Sequence, residues 1–156
     1  MGRWERKDVP HKGWICVDYY DLHANGEVGY ATCEMCNNER IRYIHIMRHE
    51  SYAKELKVGC ICAEKMADDY VGPKSREKLL KNRSIRRKNW LKRNWRQSSR
   101  GNDYLNVDGH NVTIFPDKNR AEHWKFKIDD DFSLKSYVEK NQAKIAAFDA
   151  LMKKRE

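Results

Sequence analysis

The 156-residue chain has no long hydrophobic run: nothing in it approaches the roughly 20 consecutive apolar residues a membrane-spanning helix needs. No apolar stretch follows the basic residues of the opening MGRWERKDVPHKGW, so it does not read as a secretory leader. Gly2 does not open a myristoylation motif, because Arg6 stands where Ser or Thr is wanted. There is no phosphate-binding glycine loop, no paired carboxylates for hydrolysis, no internal repeat and, outside one basic run, no low-complexity tract. These absences argue against a membrane protein and a P-loop enzyme. They predict a cytoplasmic protein, in which cysteines serve as metal ligands or reactive thiols more than as disulfides. Hydrophobic residues make up 40% and charged residues 35%, which fits modest cores and not one large core.

Acid is nearly missing from the middle of the chain. Residues 73–102 hold 12 Lys and Arg against one acidic residue, Glu77. Residues 1–72 hold 10 against 12, and residues 103–156 hold 10 against 10. The whole net charge of +9 therefore comes from 30 central residues flanked by two near-neutral regions. A concentrated charge of this kind is an electrostatic footprint. Three parts follow: a cysteine-bearing module over 1–72, a basic helix or linker over 73–102, and a C-terminal module over 103–156. Gly72-Pro73 and the run Ser98 to Asn102 mark the boundaries.

Four of the five cysteines lie between residues 33 and 62, as C-x2-C and, 23 residues on, C-x-C. A C-x2-C pair closes around one ion through a tight turn, and Asn37-Asn38 after it tolerate left-handed conformations. Residues 40–47 and 55–59 read as strands, as does the short apolar run Trp14 to Val17, with a turn at Asn25-Gly26. Ala63 to Val71 has helical composition, so Cys60 and Cys62 stand at a helix start, where the dipole favours thiolate. Cys33, Cys36, Cys60 and Cys62 are the expected ligands of one structural Zn²⁺. His45 and His49, then Cys16, are the substitutes for the fourth position. A redox pair, buried thiols, a disulfide framework and catalytic zinc are the competing readings. A module this short has little core of its own, and zinc ligation contributes folding free energy directly.

The order knuckle, strand, turn, strand and ligands entering a helix resembles the treble-clef zinc fold, whose usual second pair is C-x2-C where this chain has C-x-C. The pattern CEMC…IRYIHIMRHESY…LKVGCICAEKM is also similar to uncharacterised bacterial and mobile-element proteins, a resemblance that implies a zinc-bound module and no settled function.

In the basic segment, Pro73 suits a helix start and neither Gly nor Pro interrupts until Gly101. Leu80, Leu91 and Trp95 share a stripe broken by Arg83 to Lys88, so core packing holds such a helix poorly. Its cations suit phosphate contact, and the expected nucleic-acid residues are Lys81, Arg83, Arg86, Arg87, Lys88, Lys92, Arg93 and Arg96. Trp90 and Trp95 read first as docking residues and second as base-stacking ones.

Residues 103–107, 111–115 and 124–128 read as three strands, with Asp108-Gly109 a hairpin turn. The run from Ser133 to Arg155 reads as a helix with Tyr137, Ile145, Phe148, Leu151 and Met152 on its apolar face. This βββα order, with Trp124 and the helix segment AAFDA, weakly resembles plant AP2-type and integrase arm-binding domains, which implies a sheet that reads DNA; a plain packing module is the equal alternative. The expected fold class is α+β: a treble-clef-like zinc module, a basic linker helix and a three-stranded sheet with one helix. The expected function is zinc-stabilised nucleic-acid binding, mainly to the phosphate backbone and to DNA before RNA. The alternatives are an adaptor or inhibitor docking an acidic protein surface, and an HNH-like nuclease suggested by His110 and Asn111.

Overall fold

A computed structural model describes residues 2–154 and shows an α+β protein with two antiparallel sheets. The chain divides into two compact units, one ending at Ser84 and the other beginning at Ile85. This division falls inside the helix that begins at Gly72, between the composition boundaries at 72/73 and 102/103.

The first unit holds a three-stranded sheet ordered β1 (Ile15–Asp21), β2 (Tyr43–His49) and β3 (Tyr52–Val58). The central strand carries the β-branched and apolar residues that the sheet buries: Ile44 and Met47 are fully enclosed, with Leu56 and Val58 from β3. Helix α1 (Cys60–Ala67) adds Cys62, Ala63 and Met66 to the same core, and Trp14 completes it. Helix α1 is shorter than the sequence suggested because Asp68 turns left-handed, at φ 51°, and its N–H closes back on Lys65 O. The Asp69 carboxylate then accepts from the Val71 and Gly72 N–H groups at 3.0 and 2.9 Å, which starts helix α2 (Gly72–Asn89).

Helix α2 was expected to run toward Gly101. It stops at Asn89, passes through a 3₁₀ turn at Trp90–Lys92, and reaches a two-residue strand, β4 (Arg96–Gln97). Trp90 is 1% exposed, and its indole N–H donates to Lys144 O at 2.7 Å. That burial and hydrogen bond turn the chain where composition alone allowed helix to continue.

The second unit is a five-stranded meander in the order β4, β5 (Asp103–Val107), β6 (His110–Pro116), β7 (Trp124–Ile128) and β8 (Asp131–Phe132). The three expected strands are its centre. The β5–β6 turn is Asp108-Gly109 with φ of 52° and 81°, pairing Val107 with His110. Helix α3 (Lys140–Lys154) covers one face, burying Ala147, Phe148 and Leu151 against Val112, Ile114 and Ile128. It begins later than expected because residues 133–139 are drawn out beside β7, where Tyr137 and Trp124 exchange two backbone hydrogen bonds of 2.7 Å. Among the described residues no helix is long and apolar enough to cross a membrane.

Candidate metal centre and basic surfaces

The loop between β1 and β2 carries the knuckle. Ala31 and Ile41 bridge across its neck, Cys33 N–H donates to Asn38 O at 2.8 Å, and Asn37 N–H donates to Cys33 O at 2.8 Å. Asn37 takes φ 64°, the left-handed turn its residue type permits. Cys62, on the first turn of α1, completes a trio: the sulfurs of Cys33, Cys36 and Cys62 lie within 4.8 Å of one another. Cys33 and Cys62 are buried and Cys36 is exposed.

The surroundings favour negative charge on one member of this trio, Cys33. A hydrogen bond from Cys62 holds the Cys33 thiol well below the usual thiol range; burial opposes this, and the N–H groups of Gly59, Cys36 and Met35 reinforce it. The same contact, together with burial, pushes Cys62 up. The Trp4 indole N–H lies 3.3 Å from Cys62 Sγ, and Arg3 donates to Glu34 O at 2.6 Å. Gly2 sits against the knuckle so tightly that a Cβ would stand 2.5 Å from Met35 O. Nothing in the opening residues had marked them as part of this site.

Cys60, expected as a ligand with the other three, does not join them. Each helical residue turns the chain by about 100°, so two residues apart on α1 point to opposite sides. Cys60 instead groups with His45 and Glu77, their donor atoms also within 4.8 Å. Burial, then the Glu77 and Glu64 carboxylates, push its thiol up to about 11. Of the substitute ligands, His49 accepts from Ser51 N–H and lies edge-on to Trp14, while Cys16 packs in β1 with its S–H toward Asp18 O.

The expected phosphate contacts divide. Arg86 pairs with Asp108 at 3.1 Å and Arg87 with Asp149 at 3.0 Å. Arg83 is half-buried. Lys81 lies over the Tyr43 ring, with Glu77 at 3.9 Å. Lys88, Lys92, Arg93 and Arg96 are exposed. Trp90 and Trp95 are docking residues: they meet edge-to-face, and the Lys144 amine sits 4.5 Å over the Trp95 ring. His110, the nuclease candidate, is paired with Asp129 at 2.7 Å.

The sheet face opposite α3 belongs to the sheet that the βββα resemblance implies would read DNA. Arg96, Tyr104, Thr113, Lys127 and Phe132 stand in register across all five strands. Asn106 pairs with Asn111 beside them, and Phe115 with Lys125. Among the described residues, no strand position on this face is acidic. The signal was present in WKFKI, where Lys125 and Lys127 alternate with the residues that enter the core.

No family model, curated protein or solved structure matches the chain.

Proposed function

We propose that this is a zinc-stabilised nucleic-acid-binding protein whose main contact surface is the sheet face opposite α3, extended by the exposed cations of the α2–β4 segment. The observation that carries the reading is the acid-free row from Arg96 to Phe132. It combines cations for phosphate with Tyr104 and Phe132, the latter 60% exposed, on which bases can stack. Lys125 and Lys127 are held by β7 rather than by a mobile tail, so their charges keep a fixed spacing.

The metal part of the reading rests on the donor set. Three thiols converge, one carries backbone N–H groups directed at its sulfur, and thiolate sulfur suits Zn²⁺. The ion would tie the knuckle to the start of α1.

The test is fluorescence polarisation with labelled single-stranded DNA, duplex DNA and RNA across a salt series. The wild-type protein is expected to bind at least one polymer with marked salt dependence. The double variant Lys125→Gln, Lys127→Gln is expected to bind more weakly, with the slope of log K against log salt reduced by about 2. Binding of no polymer, or an unchanged slope in the double variant, overturns the reading.

A further inference from the structure

His45, Cys60 and Glu77 come from β2, the first turn of α1 and the second turn of α2. His45 is completely buried, and its Nε2 has no hydrogen-bond partner among the described residues. Glu77 Oε1 stands 3.6 Å from that nitrogen, too far for a hydrogen bond. A satisfied core histidine would have both ring nitrogens engaged, and an apolar residue would fill the position beside Ile44 without leaving a polar atom stranded. The position therefore has a ligand-shaped deficit, and it faces a thiol and a carboxylate.

We propose that His45, Cys60 and Glu77 form a second Zn²⁺ site, distinct from the cysteine trio, in which Nε2, Sγ and a carboxylate oxygen each bind the ion. Zinc–nitrogen, –oxygen and –sulfur distances of about 2.0–2.3 Å put tetrahedral ligands roughly 3.3–3.8 Å apart. Donors that already lie within 4.8 Å reach that spacing by side-chain movement on the order of 1 Å. Glu64 Oε1 stands 3.9 Å from Cys60 Sγ at the edge of the site, its carboxylate paired with Lys74 at 2.7 Å. Ligation through Nε2 places the ring proton on Nδ1. It thereby ends the 3.4 Å contact in which Arg76 Nε donates to Nδ1, a contact that is already long. The ion would pin α2 to the sheet and to α1, where α2 buries little apolar surface of its own. The site is independent of the nucleic-acid reading and of the trio.

The experiment is native mass spectrometry of the full chain, stripped of metal and re-equilibrated with Zn²⁺ alone. Wild type is expected to hold two ions. Glu77→Gln, a partly exposed and near-isosteric change, is expected to hold one, with circular dichroism unchanged. Cys33→Ser is also expected to hold one, by loss of the other ion. Arg76→Gln removes a cation and offers Nδ1 an acceptor, so it is expected to retain the second ion against higher chelator concentrations. Wild type with a single ion that Glu77→Gln keeps overturns the second site and leaves the trio standing. A single ion that Glu77→Gln loses and Cys33→Ser keeps supports the second site and removes the trio. Two ions in folded Glu77→Gln, or weaker retention in Arg76→Gln, overturn ligation through these atoms.

Discussion

Single residues show where charge holds the first unit together. Arg42 grips Asp21 through two hydrogen bonds of 2.8 and 2.9 Å, and Asp21 also accepts from His23 N–H. Burial opposes ionisation of Asp21, but the Arg42 guanidinium outweighs it, and the carboxyl titrates below its ordinary value. Its ionised form therefore stabilises the fold above the unfolded pKa of about 3.9, and the contribution is lost as pH falls through the lower folded value. Asp21→Asn is expected to cost about 2 kcal/mol at pH 7, less than a fully enclosed pair because the Arg42 side chain is 25% exposed. Urea titrations should show the deficit closing toward pH 3; a deficit independent of pH would show that the pair is not its source. At this scale the knuckle was legible, since Asn37 after Cys36 announces a left-handed turn. The role of Cys60 was not, because 23 intervening residues say nothing of which way each thiol points.

Elements end where tertiary packing, not composition, stops them. Lys-rich sequence continues past Asn89, yet the chain leaves the helix so that Trp90 can lie against Phe148, with ring centroids 5.1 Å apart. Trp90→Ala is expected to destabilise the second unit by about 3–5 kcal/mol, through lost burial and loss of the indole hydrogen bond to Lys144 O. Thermal unfolding followed by circular dichroism checks this; a shift of only a few tenths of a kcal/mol would mean that the residue is not a core anchor. The hairpin at Asp108-Gly109 and the strands around it were readable because turn chemistry and alternation act locally. Strands β4 and β8, two residues each, carry no period to detect and exist through pairing with β5 and β7.

At the scale of the whole molecule, each unit has its own core, so removal of the proposed zinc should be a local event. Chelation is expected to unfold the first unit while Trp90, Val112 and Phe148 stay protected in the second. Hydrogen exchange read by mass spectrometry tests this, and loss of protection throughout the chain would contradict it. The sequence by itself determined the α+β class, the knuckle, the hairpin and the concentration of positive charge, because each depends on near neighbours. Tertiary structure alone decided which cations pair with acids of the chain itself, since Arg86 and Arg87 meet acids 22 and 62 residues away. It also decided the separation of Cys60 from Cys62 and the meeting of Cys60 with His45 and Glu77. The physical reason is the same in each case: a helix sends neighbours two residues apart to opposite sides, and packing chooses what distant side chain waits on each side.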